Sequence, residues 1–253
     1  MDDEVSELVH GAAPAPVRIA RLWWVVSAAA ALLLVVLLGA VIFYRQADKP
    51  FGFEVEWMSE LVEARSPILT GVALVFNWIG GGISGIVIVP LVIVTGLLIW
   101  RRPWAALYFV CATIASELIV LVMKNVLGRP RPTDILVVSD FGSFPSGHSA
   151  NAAVIATTLG IIFWRTWVWI VGAAYTLLMM LSRTYLGAHW ISDTVGGMLI
   201  GVGVAVIIWA PFAYVLYRER RTPHPPIWIK VTPPAPTAAG TGVSGGDGET
   251  PDS

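Results

Sequence analysis

The sequence is short of charge and nearly free of cysteine. Only 13% of its 253 residues are Asp, Glu, Lys or Arg, against roughly 25% in ordinary soluble domains. The formal net charge of -1 and a pI near 6.4 exclude a nucleic-acid partner, because no basic stripe exists to follow a phosphate backbone. Cys111 is the single cysteine and lies in an apolar run, so neither a disulfide framework nor a thiolate metal site is available. There is no HExxH, no Cys/His ligand spacing and no acidic quartet; no metal ligands and no cofactor are expected. Internal repeats at solenoid periods are also absent.

What the chain has instead is apolar residues, 56% of the total, with a mean hydropathy of +0.74. That composition belongs in a bilayer. Runs near the ~20 residues needed to cross the hydrocarbon core occur at Leu22–Phe43, Ile83–Trp100, Trp104–Met123, Ser146–Trp164, Trp167–Tyr185 and Trp190–Tyr214. Arg18 and Arg21 before the first run resemble a signal peptide, but a cleavable apolar region is only ~7–15 residues long, so an uncleaved span is expected. Each run is apolar all round, and a helix is the open-chain way to satisfy backbone groups in lipid. The fold class is therefore all-α, a polytopic bundle of six transmembrane helices.

With the amino terminus inside, the inner face carries Arg18, Arg21, Arg101, Arg102, Arg165, Arg218, Arg220 and Arg221, against Arg45, Lys49, Arg65 and Arg129 outside. This bias puts both termini in the cytoplasm. Trp23, Trp24, Trp100, Trp104, Trp164 and Trp167 fall at the same inner boundary, as an aromatic belt requires. Between the first two runs, Phe53, Trp57, Leu61 and Ala64 recur at helical spacing opposite Glu56, Glu60 and Glu63, the pattern of a short amphipathic helix on the extracytoplasmic surface. The stretch 67–82 is apolar but broken by Asn77 and glycines near Gly80; an extension of the second span and a re-entrant piece both fit. The expected organisation is a cytoplasmic tail over 1–21, a membrane domain over 22–217 and a Pro/Gly-rich disordered tail over 222–253.

Three polar clusters interrupt the apolar chain, and the six-span layout puts all three at one face. Lys124 is followed after six residues by Arg131-Pro132; Pro145-Ser146-Gly147-His148 opens the fourth run; Ser182-Arg183, five residues, His189, three residues and Asp193 cross the turn from fifth run to sixth. Gly187 suits the left-handed residue that closes the fifth helix. His189 and Asp193, four apart, then share a helix face, where the carboxylate accepts one ring proton and leaves the other nitrogen's lone pair for an electrophile. A His–Asp pair that only anchors a helix end has the same spacing. Ser146 is an N-cap type and Gly147 permits close backbone approach, so free N–H groups at this helix start can bind an anion, with His148 in the first turn as general acid. Lys124, Arg131 and Arg183 each suit an interfacial snorkelling role, but three cations converging on one helix start match phosphate oxygens and a phosphoryl-transfer transition state.

Together the clusters resemble the three signature motifs of the type 2 phosphatidic acid phosphatase superfamily, with all eleven fixed positions matching in identity, order and spacing. The resemblance runs from about Lys124 to Asp193. It implies a metal-independent membrane lipid phosphatase with His189 as the nucleophile forming a phosphohistidine, Asp193 orienting it and His148 as general acid. Lys124, Arg131, Ser146, Gly147 and Arg183 would form the phosphate cradle. The implied partner is a lipid phosphate in the bilayer, a polyprenyl diphosphate or a glycerolipid phosphate such as phosphatidic acid or phosphatidylglycerophosphate, met at the extracytoplasmic face of the cell membrane. No obligate protein partner is evident. A lipid phosphotransferase and a non-catalytic lipid-binding or translocating protein are the alternatives. Among the remaining polar residues, Glu117 is expected to hydrogen-bond a neighbouring helix, and Arg129 and Asp140 to be solvated loop residues.

Overall fold

The structure is a computed structural model and describes residues 15–44, 50–138 and 140–229. All regular structure among them is helical: α1 Ala15–Tyr44, α2 Gly52–Glu63, α3 Pro67–Gly80, α4 Val89–Ile99, α5 Pro103–Leu127, α6 Gly147–Phe163, α7 Thr166–Tyr185 and α8 Ile191–Arg221. A π-helical turn over Ser84–Ile88 leads into α4. The six apolar runs all fall on helices. By length and apolarity α1 from Trp24, α5 and α8 can cross a membrane, and α3 with Ser84–Ile99 makes a fourth if the pair, bent by 50°, is one span. Leu33, Leu34, Leu118, Val122, Ile170 and Leu177 point outward and are exposed. A surface of that kind suits lipid tails, since soluble monomers rarely expose contiguous apolar patches of such size.

Local chemistry sets the helix ends. Pro103 sits in the first turn of α5, where its missing N–H has no partner to lose, and Gly128 ends the helix at φ 54°. The Ser66 and Ser146 hydroxyls accept from the N–H groups of Leu69 and Ser149, each at 3.4 Å, to start α3 and α6. Glu219, near the end of α8, reaches across to the Trp104 and Ala105 N–H groups at 2.9 and 3.1 Å. It thereby ties the start of α5 to the end of α8 and sets the two antiparallel.

The core is built round α6, of whose 17 residues twelve are buried, and which packs against α5, α7 and α8. Glycines make the α6–α8 approach possible. A Cβ at Gly197 would lie 2.3 Å from the Ser146 carbonyl oxygen, and one at Gly201 would lie 2.4 Å from that of Ala150, the close backbone packing that small residues permit between membrane helices. At the bend between α3 and α4, Gly82 takes φ 57°. The Asn151 side chain of α6 donates to the Gly80 and Gly85 carbonyls at 3.3 and 3.0 Å, so carbonyls freed by the break regain partners.

Three expectations need revision. The first helix starts at Ala15 rather than Leu22, taking in residues assigned to the tail. The α2 helix exists, but its buried residues are Glu54 and Met58, while Phe53 is exposed; the apolar stripe is overridden by a buried carboxylate described below. Residues 222–229 are not a free tail: the Ile227 N–H donates to the Ile99 carbonyl at 3.0 Å, and Arg101 donates to the Ile227 carbonyl at 3.2 Å. The rest of the expected tails, 1–14 and 230–253, lies outside the described residues, as do Arg45 and Lys49.

Because the α6–α8 contact has no room for a side chain, Gly197→Val should lower stability by about 1–3 kcal/mol or more. Thermal melting in detergent measures this, with Gly52→Val, where nothing lies within 4 Å of the added carbon, as the neutral comparison.

Candidate active site

The bundle's turns bring the three polar clusters to one end. The carboxyl end of α5 carries Lys124, the start of α6 carries Gly147 and His148, the end of α7 carries Arg183, and His189 stands in the connection to α8. Lys124, Asp140, Gly147, His148, Arg183 and His189 line a single cavity of about 400 Å³. Arg131 reaches the same place from the α5–α6 loop. Its Nη1 donates to the Ala188 carbonyl at 2.6 Å and lies 3.2 Å from His189 Nε2.

These contacts define the state of His189. Its Nδ1 lies 2.7 Å from the Ser143 carbonyl oxygen. A carbonyl can only accept and a guanidinium can only donate, so Nδ1 carries the proton and Nε2 keeps its lone pair. The ring is 2% exposed. Burial, then the charges of Arg183, Arg131 and Lys124, push the imidazole well below its usual range, against the opposing hydrogen bond to Ser143. His189 is therefore neutral at pH 7, with one nitrogen lone pair directed at a cluster of cations.

The expected direct bond between His189 and Asp193 is not formed. Their closest approach, Nδ1 to Oδ2, is 3.7 Å. His189 precedes the helix, so i,i+4 helical geometry does not apply. Asp193, in the first turn, instead accepts from the Trp190 N–H at 2.8 Å, capping α8. Its other oxygen accepts from Arg129 Nη1 at 2.6 Å. Asp193 is thus a nearby negative charge and a helix cap, while the Ser143 carbonyl holds the ring.

Arg129, expected in solvent, is 1% exposed and paired on both sides, with Asp193 at 2.6 Å and with Glu54 of α2 at 2.7 Å. Glu54 also accepts from the Phe51 and Ser192 N–H groups at 2.9 and 3.1 Å and from the Ser192 hydroxyl. All of its acceptor capacity is occupied, so this buried charge is compensated. The Arg129 carbonyl accepts from the Ser143 N–H at 2.7 Å. One residue thereby fixes both the start of α8 and the carbonyl that orients His189.

Asp140 also departs from expectation. Its carboxylate bridges Lys124 Nζ at 2.6 Å and Arg131 Nη2 at 2.7 Å. Beside His148 and Arg183, Asn77 of α3 takes a double role: its carbonyl lies 3.1 Å from His148 Nε2 and its side-chain oxygen accepts from Arg183. Arg183 Nε has no hydrogen-bond partner among the described residues, which leaves this guanidinium unused donor capacity. The bend beside Asn77 brings bare backbone onto His148, where a Cβ at Gly81 would lie 2.2 Å from the ring. Ser146 does not line the cavity; it is fully buried, capping α6, and its N–H donates to the Asp193 carbonyl at 2.9 Å. Glu117 does line it and, among the described residues, makes none of the hydrogen bonds expected of it. Sequence reasoning missed Glu54, Asn77, Asn151 and Ser143. Asn77 and Asn151 carried a signal, a polar side chain in an apolar stretch; Glu54 is one of several acidic residues on α2 and Ser143 acts through its backbone, so neither carried one.

Comparisons with known proteins return relatives of one kind. A model of the PAP2 superfamily matches residues 105–217. Phosphatidylglycerophosphatase B of Bacillus subtilis (strain 168) is 28% identical over 127 residues, 46% of this chain and 63% of that protein. An undecaprenyl-diphosphatase of Sulfolobus acidocaldarius is 31% identical over 109 residues, 39% of this chain and 49% of that protein. The chain thus spans about half to just under two thirds of the length of these relatives. The crystal structure of a transmembrane PAP2-type phosphatidylglycerolphosphate phosphatase from Bacillus subtilis superposes with a TM-score of 0.60 at 25% identity, covering 77% of this chain and 98% of that one.

Removing Arg129 strands two buried carboxylates, so Arg129→Ala should cost about 3–5 kcal/mol of stability. Arg65→Ala, which removes donors to the Asp134 and Tyr185 carbonyls near the surface, should cost about 1 kcal/mol. Denaturant or thermal unfolding in one detergent ranks the two, and equal losses would contradict the network's importance.

Proposed function

Because this chain belongs to the PAP2 superfamily, we propose that it is an integral membrane phosphatase that hydrolyses a lipid phosphate or diphosphate through a phosphohistidine on His189. The observation that carries this reading is the tautomer of His189: proton on Nδ1, held by Ser143, and lone pair on Nε2, beside Arg131. In the proposed reaction, Nε2 attacks phosphorus as the bond to the lipid oxygen breaks. His148, carrying a second ring proton taken up with the dianionic head group, gives that proton to the leaving oxygen, a general-acid contribution worth roughly 10²–10⁴ in rate. Lys124, Arg131 and Arg183 hold the equatorial oxygens, whose charge they stabilise in the transition state, while Asp193 offsets the positive charge on the imidazole. Water then attacks the phosphorus, giving its proton to His148, and the P–Nε2 bond breaks to release inorganic phosphate and restore neutral His189.

The relatives named above act, by their names, on a glycerolipid phosphate and a polyprenyl diphosphate, and either class fits the cavity's cations. We place the site at the extracytoplasmic face of a six-span cell-membrane protein with both termini in the cytoplasm. The support is that Arg101, Arg102, Arg165, Arg218, Arg220 and Arg221 lie at the helix ends opposite the cavity, the distribution of cytoplasmic basic residues. Arg220 packs over Trp164 and Arg102 over Phe163 at that end.

Incubation with lipid phosphate labelled at phosphorus should trap label on wild-type protein as acid-labile, base-stable phosphohistidine and release free phosphate into plain buffer. His189→Ala should do neither, and a chelator should leave the wild type active; turnover by the variant, or complete loss with chelator, sinks the mechanism. A second expectation follows from the lowered pKa of His189. The depressed pKa keeps Nε2 unprotonated as pH falls through 6.5, so phosphoenzyme formation should lose its nucleophile only well below the ordinary imidazole range. Single-turnover rates between pH 4 and 8 test the sign.

A further inference from the structure

The cations assigned to phosphate already hold an anion that belongs to the chain. The two oxygens of the Asp140 carboxylate sit on Lys124 Nζ at 2.6 Å and Arg131 Nη2 at 2.7 Å, and the Asp140 carbonyl accepts from Arg131 Nε at 3.2 Å. The guanidinium it engages is the one lying 3.2 Å from the lone pair of His189. A phosphate placed for attack by Nε2 must use these same donors. Asp140 lies among the lining residues of the cavity itself, yet its side chain is 68% exposed, so nothing packs over it to prevent it from leaving. Burial opposes its ionisation, but the hydrogen bond and charge of Lys124 and the charge of Arg131 outweigh this and hold the carboxyl below its usual range. The resident anion therefore stays charged at neutral pH.

Building on the phosphatase reading for the place of the reaction, we infer that Asp140 is a specificity-determining residue, a tethered carboxylate that the incoming head group must displace from Lys124 and Arg131. The chemistry of the exchange sorts lipids. A phosphomonoester carries about -1.5 to -2 charge at pH 7 and three strong acceptor oxygens, so it replaces the carboxylate with a gain in charge and in hydrogen bonds. The phosphodiester head groups of bulk membrane lipid carry one negative charge on phosphorus and two free oxygens. They offer the two cations no more than Asp140 does. An enzyme set among a large excess of diesters thus keeps its site clear by a built-in repulsive and competing group rather than by shape alone.

The test uses the full-length protein in detergent and two probes, inorganic phosphate and the diester dimethyl phosphate, titrated calorimetrically into wild type, Asp140→Asn and Asp140→Ser. The wild type should bind inorganic phosphate and give no signal with dimethyl phosphate. Both variants should bind inorganic phosphate more tightly, on the order of 3- to 10-fold for the loss of two partly exposed competing ion pairs, and should gain binding of dimethyl phosphate. In mixed micelles, turnover of phosphatidic acid by the variants should become inhibited by phosphatidylglycerol at ratios that leave the wild type unaffected. Unchanged or weaker phosphate binding in both variants, or no diester binding gained, overturns the assignment. Should the wild type turn over no lipid phosphate while the anion exchange behaves as expected, the phosphatase reading falls and the competing role of Asp140 stands.

Discussion

A guanidinium buried between two carboxylates holds the cavity end of this bundle together. Arg129 is 1% exposed, and its partners Glu54 and Asp193 are fully buried, so each charge is tolerable only because the others are present. The three come from different parts of the chain: α2, the loop after α5, and the first turn of α8. Joining them brings α2 down onto the start of α8. The Arg129 backbone then continues the constraint by accepting from Ser143, whose carbonyl sets the tautomer of His189. A stability element and an orienting element are thus the same residue. Substituting Asp193 would disturb His189 mainly by loosening this framework and the cap of α8, since no direct hydrogen bond to the imidazole exists to be lost.

The bend between α3 and α4 obeys a second constraint, that backbone groups surrounded by apolar side chains must find partners. The break after Gly80 frees carbonyls. Asn151 recovers those of Gly80 and Gly85, and the carbonyl of Asn77, just before the break, is engaged by His148. Without a Cβ at Gly81 the backbone lies against the imidazole of His148, leaving that ring one orientation. The irregular piece of the helix and the second histidine of the site are thereby mutually dependent. Residues 67–82 thus form one arm of a bent pair, a geometry that a broken span and a re-entrant piece share.

Much of this was legible in sequence. The motif residues Lys124, Arg131, His148, Arg183 and His189 do converge, because their spacing encodes helix ends, and helix ends in a bundle of antiparallel neighbours gather at two surfaces only. The left-handed Gly187 and the N-cap Ser146 were readable for the same local reason. The acidic and loop residues were not. Glu54 sits in a stripe whose apolar periodicity favours Phe53, and no local rule reveals that a long-range ion pair rotates the helix to bury the carboxylate. Arg129 and Asp140 occupy a segment with no regular structure, where solvent exposure is the default expectation and only tertiary partners decide otherwise. The His189–Asp193 pair failed for a subtler reason, as the i,i+4 rule presumes that both residues are inside the helix, and His189 stops just short of it.

The composition of the cavity wall bears on how a lipid would sit in it. Lys124, Asp140, His148, Arg183 and His189 supply its charged and polar part, whereas Ile86, Val120 and Leu121 supply apolar lining from the bent segment and the body of α5. Glu117 stands seven residues before Lys124 on the same helix, roughly 10 Å along its axis. In the reading proposed above, the phosphate takes the cations and the first carbons of the lipid run along α5 past Val120. A carboxyl at the depth of Glu117 then meets the part of the lipid where a sphingoid backbone carries hydroxyl and nitrogen donors, a diacylglycerol backbone carries ester acceptors and a polyprenyl chain carries neither. An ionisable group there is costly in an apolar setting unless a partner arrives with the substrate.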